Sequence, residues 1–280
     1  MKKYVLAIAT VAACATLAGC DRKDPSGTGG AAEEPAPTGM MAEAARQAEA
    51  QAKIAALPKA DMAKPLSDYP KLDGGEHLMF LYLAAARLPP DYPSIADAFS
   101  SDYRDTSDSF RKQDLLTALK PRIDARIGEA TQQPYAWMEL DDSDNLSAYD
   151  FQRGGFPVNE FQDEKTRYFN DSSSYRLTWA NREAVVFAPV KDEAMARVIE
   201  AMRTDYGNTP QLKVYFFAQA ADLDSKHVKA VVTRVQITDR SGRVLADYGP
   251  DGSIATQARA TADAGADDFG MPSEMAGSAY

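Results

Sequence analysis

Two histidines, His77 and His227, and two cysteines, Cys14 and Cys20, are all the imidazoles and thiols that the 280 residues offer. A structural zinc site draws four ligands from cysteine, histidine and carboxylate at close spacing. Here both cysteines stand near the N-terminus, and the histidines lie on separate segments with no ligand-like spacing. Both histidines are read as surface residues, and no metal site or zinc hydrolase is expected. The run Asp141-Asp142-Ser143-Asp144-Asn145 gathers oxygens that suit a hard cation such as calcium. A calcium-binding helix–loop–helix counted from Asp141 would need glycine where Leu146 stands and glutamate where Gln152 stands. The run therefore reads as a solvated turn, whose short polar side chains tolerate unusual backbone angles.

Ser109-Phe110-Arg111-Lys112 puts a hydroxyl and an amine on one helical face, where a desolvated lysine can serve as base for a serine nucleophile. With Ser143-Asp144-Asn145 it approaches the motif set of penicillin-recognising enzymes, which also requires a Lys-Thr-Gly strand. The nearest match to that third element is Lys165-Thr166-Arg167, and Lys112 sits among charges instead of in an apolar setting. The chain has no Gly-x-Ser-x-Gly elbow, phosphate-binding loop or dinucleotide fingerprint. An enzyme is thus disfavoured but not excluded, with a hydrolase of unrecognised type as the alternative, and no cofactor is expected. Tyr149, Phe151, Phe156, Phe161, Tyr168, Phe169, Tyr175 and Trp179 crowd one region. They could line a ligand groove or partner surface, although core packing is the default role for such residues.

The formal net charge is −10. An acidic surface disfavours nucleic acid, whose binders carry a basic stripe. It equally disfavours broad contact with anionic lipid headgroups. With no cysteine beyond Cys20, the folded body has no disulfide and must be held by packing.

Apolar spacing sets the elements that would position any site. A helix is expected from Met40 to Leu57 on composition, as part of a stalk or solvated spacer. Helical periodicity continues at Glu76–Leu88, at Pro93–Tyr103, and from an Asp108 or Ser107 cap through Ile127, with a kink or restart at Pro121. From Tyr135 the period becomes that of strands. Tyr135–Leu140 and Leu146–Phe151 are expected to flank the acidic turn. Tyr175–Trp179, Ala184–Ala188, Leu212–Gln219, Val228–Thr238 and Val244–Tyr248 follow, with one helix capped by Asp192 between them. Helices first, then a mainly antiparallel sheet with one inserted helix, define an α+β fold.

The N-terminus supplies the strongest functional signal. Lys2 and Lys3 precede an apolar, alanine-rich run from Tyr4 to Leu17, too short to span a bilayer. The run ends in Leu17-Ala18-Gly19-Cys20, which resembles the lipobox of bacterial lipoproteins. The resemblance implies cleavage before Cys20, a diacylglycerol on its thiol and an acylated new amine. It makes 1–19 the signal peptide and 20–65 an anchor and flexible spacer rich in Pro and Gly. The α+β domain then occupies 66–249, and 250–280 forms a disordered acidic tail. Asp21 resembles an inner-membrane retention signal of enteric-type bacteria, which tilts the choice of membrane inward without settling it. The expectation is a membrane-anchored protein of the cell envelope facing the periplasm, a binding module for a protein or envelope partner. A carrier with an apolar cavity beneath the sheet is the other alternative.

Overall fold

Sheet strands here are recruited from distant parts of the chain, and long-range pairing overrides several local expectations. A computed structural model describes residues 39–252 apart from residues 173 and 206. The expected leader at 1–19, Cys20 and the expected tail beyond 252 lie outside the described residues.

Good helix formers carry α1, Gly39–Ala55, as their propensities dictate. Four more helices precede the sheet: α2 (Gly75–Ala86), α3 (Tyr92–Phe99), α4 (Ser101–Asp105) and α5 (Ser109–Gln132). The segment expected as one helix from Pro93 to Tyr103 divides at Ser100. That residue adopts extended backbone, and its hydroxyl accepts a hydrogen bond from Tyr103 N–H, starting a new helix. Asp108 caps α5 by accepting from the N–H groups of Phe110 and Arg111. Pro121 does not restart this helix. Leu116, Leu119 and Ile123 are buried on both sides of it, and their packing outweighs the ~3 kcal/mol that an interior proline costs.

The sheet comprises β1 (Tyr135–Leu140), β3 (Arg176–Trp179), β5 (Gln211–Asp222), β6 (His227–Thr238) and β7 (Val244–Tyr248). A separate antiparallel pair joins β2 (Gly155–Pro157) to β4 (Phe187–Pro189). The inserted helix α6 (Glu193–Thr204) is capped by Asp192 as expected. The fold is α+β. Neighbours run in the order β1-β5-β6-β3, antiparallel except for the parallel pair β3/β6.

The first expected hairpin does not form. β1 pairs with β5, from Tyr135 opposite Phe217 to Leu140 opposite Leu212. Asn145 donates its amide to Leu140 O at 2.9 Å and turns the chain away. Leu146–Phe151 then makes isolated bridges only, Leu146 to Val158 and Asp150 to Gly155. Ala184–Ala188 likewise yields a tight turn at Arg182–Ala184 and the short β4.

Both β3 and β7 pair with the same edge of β6. The first covers His227–Ala230 and the second Val235–Thr238. Between them the Asn181 side chain takes the place of a strand. Its Oδ1 accepts from Val232 N–H at 2.8 Å, and its Nδ2 donates to Val232 O at 2.9 Å.

Alternation places Ala136, Met138, Leu140, Leu212, Val214 and Phe216 in the core. α2 covers this core, packing against β5, β6 and α5. Because it has neighbours on several sides, Leu78, Met79, Phe80, Leu81 and Tyr82 are all buried. On the alternate positions Tyr135, Trp137, Tyr215 and Phe217 form an aromatic row against Tyr69. The chain that crosses this row is fixed from Pro58, whose carbonyl accepts from Gln219 Nε2 at 2.9 Å. Asp61 N–H donates to Tyr135 OH at 2.7 Å, and Leu72 N–H to Trp137 O at 2.7 Å. Ordered contact with the sheet thus begins inside the 20–65 stretch, before Leu66, because this apolar row would otherwise face water.

Candidate functional site

Glu160 is the one carboxylate of the described residues that is buried outright, 1 % exposed. It sits in a tight turn, Asn159–Phe161, whose apolar neighbours Val158 and Phe161 anchor in the core. Burial of a charge is tolerated only with partners, and Glu160 has two. Arg167 Nε donates to its oxygens at 3.0 and 3.1 Å, and Arg167 Nη2 donates at 2.5 Å. Trp179 Nε1–H donates to Oε1 at 2.7 Å. The guanidinium also reaches Asp142 at 2.7 Å. Hydrogen bonding to Glu160, with Asp142 adding its charge, pushes the Arg167 pKa up against the opposing effect of burial.

Local structure holds each member in place. Arg167 exchanges two backbone hydrogen bonds with Leu177, at 2.9 and 2.8 Å, beside β3. Trp179, at the end of β3, packs edge-on against Phe161 and Phe216. Asn159 receives Ser147 Oγ at 2.6 Å and donates to Asp144 O at 2.5 Å. The acidic run 141–145 is therefore tied down from two sides, and Asp142 serves an arginine.

Against this network lies a recess of about 340 Å³ at the start of β6. Its walls are the segment Asp163–Thr166, the face of β3 at Thr178–Ala180, Arg182, and His227 and Lys229 of β6. Strand pairing sets His227 opposite Arg176 and Lys229 opposite Thr178. Arg182 pairs with Glu164 at 3.4 Å and Lys229 with Asp222 at 3.3 Å. Lys165 is half-buried and has no ion-pair or hydrogen-bond partner for its amine among the described residues. The His227 pKa is lowered, first by burial and then by the Arg176 charge. Its imidazole is neutral at pH 7 and free to donate or accept one hydrogen bond at each nitrogen.

A larger recess, about 640 Å³, opens between α3 and α5. Its cations are already engaged: Arg126 pairs with Glu76 at 3.0 Å, and Arg122 lies over the Phe99 ring. The smaller recess gathers three cationic side chains and a histidine in one concavity and is taken as the candidate site.

The other residues marked by sequence are scattered. Ser109 is exposed at the start of α5, and Lys112 lies over the Tyr103 ring at 5.0 Å, while Ser143 and Asp144 line a different surface depression. His77 is half-buried instead of surface-exposed, 4.0 Å from Asp73, and burial lowers its pKa. The aromatic group divides. Phe156, Phe161, Tyr175 and Trp179 are core, whereas Phe151 is 89 % and Tyr168 56 % exposed. Sequence pattern did not mark Glu160, and it met Arg167 only as the residue standing where a Lys-Thr-Gly strand needs glycine; the available signal was a carboxylate set inside the apolar stretch Phe156–Phe161. Among the described residues no cluster of three or more metal-ligating side chains occurs, and no helix is long and apolar enough to cross a membrane. No family model matches the chain, and no curated protein or solved structure matches it either.

Proposed function

We propose that the protein is a lipoprotein of the bacterial cell envelope, held to a membrane on its periplasmic side by acylated Cys20, with an α+β body that acts as a binding module. One observation carries this: basic residues, an apolar run, small residues and a cysteine follow in that order at Lys2-Lys3, Tyr4–Leu17 and Leu17-Ala18-Gly19-Cys20. A run of that length serves as a cleavable leader instead of a membrane span. The Pro- and Gly-containing stretch after Asp21 supplies reach, so that a tethered body meets its partner at raised local concentration. The body contributes a recess lined by recognition groups, Lys165 and His227 among them. Mass spectrometry of the mature protein tests the anchor. The expected product begins at Cys20 and carries diacylglyceryl and acyl mass, and is lost in Cys20→Ala. A mature chain intact from Met1, or free of lipid, overturns the proposal.

A further inference from the structure

We infer that the recess between Lys165, Trp179 and His227 is a binding site for a small oxyanion-bearing ligand, one that presents a carboxylate or phosphate group. The inference rests on the body being a binding module, and it does not depend on Cys20 being acylated.

Charge is the first support. The chain as a whole is strongly acidic, with a net charge of −10, yet Lys165, Arg182 and Lys229 all line this one concavity. Two acids also line it, Asp163 and Glu164, and Glu164 is committed to Arg182. Lys229 is shared with Asp222, which does not line the recess. Three cationic side chains face two acidic ones on the lining, an excess of one positive charge on a chain of net charge −10, and Lys165 is the cation left without an ion-pair partner among the described residues. A concave cationic site focuses the field and concentrates anions locally.

Unused hydrogen-bonding capacity is the second. Half-buried ammonium groups normally find a carboxylate or carbonyl. Lys165 finds none among the described residues, although it stands next to Glu164 in sequence. Its backbone N–H is held by Asp163 O at 2.8 Å, which fixes the direction of the turn. His227 has no side-chain hydrogen bond among the described residues either, and it is kept neutral, so it can donate to an oxyanion without repelling a neighbouring cation. A lysine ammonium, a neutral imidazole and a threonine hydroxyl around one cavity form a donor set, which is what an oxyanion requires.

Size and rigidity are the third. About 340 Å³ is at the low end of small-molecule sites. It accommodates a sugar phosphate or a short acidic peptide end, not a folded partner. The floor does not move easily, because Trp179 is pinned through its indole to Glu160, and Thr166 precedes the Arg167 bridge to β3. A floor already held in place lowers the ordering cost of binding, which then falls on the Lys165 and Lys229 side chains.

The test uses the full chain as its Cys20→Ala form, labelled with nitrogen-15. Inorganic phosphate, acetate and uncharged glucose are titrated separately at constant ionic strength. The expected result is saturable shifts of the Lys165, Thr166, His227 and Lys229 amides and the Trp179 indole N–H with phosphate or acetate, and none with glucose. The stronger of the two anion arms identifies the headgroup. Lys165→Gln should weaken binding about tenfold, equivalent to about 1.4 kcal/mol, while Lys165→Arg retains it. An unchanged spectrum elsewhere shows that each variant is folded. Absence of saturation in both anion arms, or equal binding by Lys165→Gln, overturns the inference. Either result would leave the lipid anchor standing, since that is read by mass.

Discussion

Removing either member of the Glu160–Arg167 pair should destabilise the protein, but unequally, and the order of the two effects is set by what each removal leaves behind. Glu160 has no exposed side-chain surface, whereas the Arg167 side chain is 25 % exposed and keeps Asp142 as a second partner. Breaking a buried ion pair by deleting one partner costs about 3–5 kcal/mol, mostly as the penalty on the charge left unpaired. In Arg167→Met the orphan is Glu160, with only the Trp179 indole for company, so about 4 kcal/mol is expected from the middle of that range. In Glu160→Gln the orphan is a guanidinium still paired with Asp142 and partly hydrated, and the amide oxygen can still accept from Trp179. The loss should fall to about 2 kcal/mol, near that of charged hydrogen bonds. The double variant Glu160→Leu with Arg167→Met strands no buried charge. Asp142 loses its partner but is partly hydrated, and the buried group left unpaired is the Trp179 N–H, for about 1–3 kcal/mol, well short of the summed single losses. Urea unfolding of the Cys20→Ala form, followed by far-ultraviolet circular dichroism, measures all three. If Glu160→Gln costs as much as Arg167→Met, or if the double variant loses the sum of the singles, the pair is not the buried, charge-compensated unit described here.

Asn181→Ala removes the amide that fills the gap between β3 and β7 and leaves both polar groups of Val232 unpaired. A loss of about 2–3 kcal/mol in urea unfolding is expected, and a loss below about 0.5 kcal/mol, the scale of an ordinary surface change, would refute the strand-substitute role. Thr238 is fully buried, and its hydroxyl has no hydrogen-bond partner among the described residues. Thr238→Val keeps the shape and should leave stability unchanged or raise it by about 1 kcal/mol; a clear drop in melting temperature would mean the hydroxyl is engaged. Burial pushes the phenol pKa of Tyr248 up, as it does for Tyr69, Tyr175 and Tyr215. Unfolded tyrosine ionises near pH 10 while the folded groups keep their protons. Stability is therefore intact below about pH 10 and falls as pH rises past it. Tyr248→Phe should flatten that alkaline decline, although it starts lower through loss of the 2.9 Å bond to Val185 O. An equal slope in parent and variant would refute the assignment.

Helices read well from the sequence because their signals are local. Asp108 and Asp192 each cap the helix that follows, and apolar spacing gives part of the buried faces of α5 and α6, through Leu119, Ile123, Ile199 and Met202, while the equally apolar Phe110 and Val198 are exposed. Strand content reads almost as well, since Leu212–Gln219 and Val228–Thr238 alternate or run apolar for their whole length. Pairing does not. Nothing near Leu140 says that its partner is Leu212 instead of a residue across the acidic turn. The deciding bond, Asn145 to Leu140 O, looks in sequence like any turn asparagine. Pro121 misleads in the opposite direction, because its local cost is visible while the packing that offsets it comes from other elements. The site was the least legible part. Lys165, Arg182, His227 and Lys229 are unremarkable singly, and only the parallel pairing of β3 with β6 brings the last two beside Thr178.

That same pairing explains why a buried ion pair and an open recess occur together. Two short strands cannot both hold one edge of β6 unless the chain between them is fastened. The fastening consists of Asn181 on one side of Trp179 and the Glu160–Arg167 pair on the other. An apolar replacement at Glu160 could pack as tightly, but it would give the Trp179 indole and the Arg167 guanidinium no fixed direction. Charge-assisted bonds are directional in a way that burial is not, and buried polar groups are best attested as devices that fix a single register. In this fold the register so fixed places Lys165 and Thr166 against the face of β3. The cost of one desolvated carboxylate is thus borne where an exposed wall has to stay rigid, and the wall it holds is the one lined with unpaired donors.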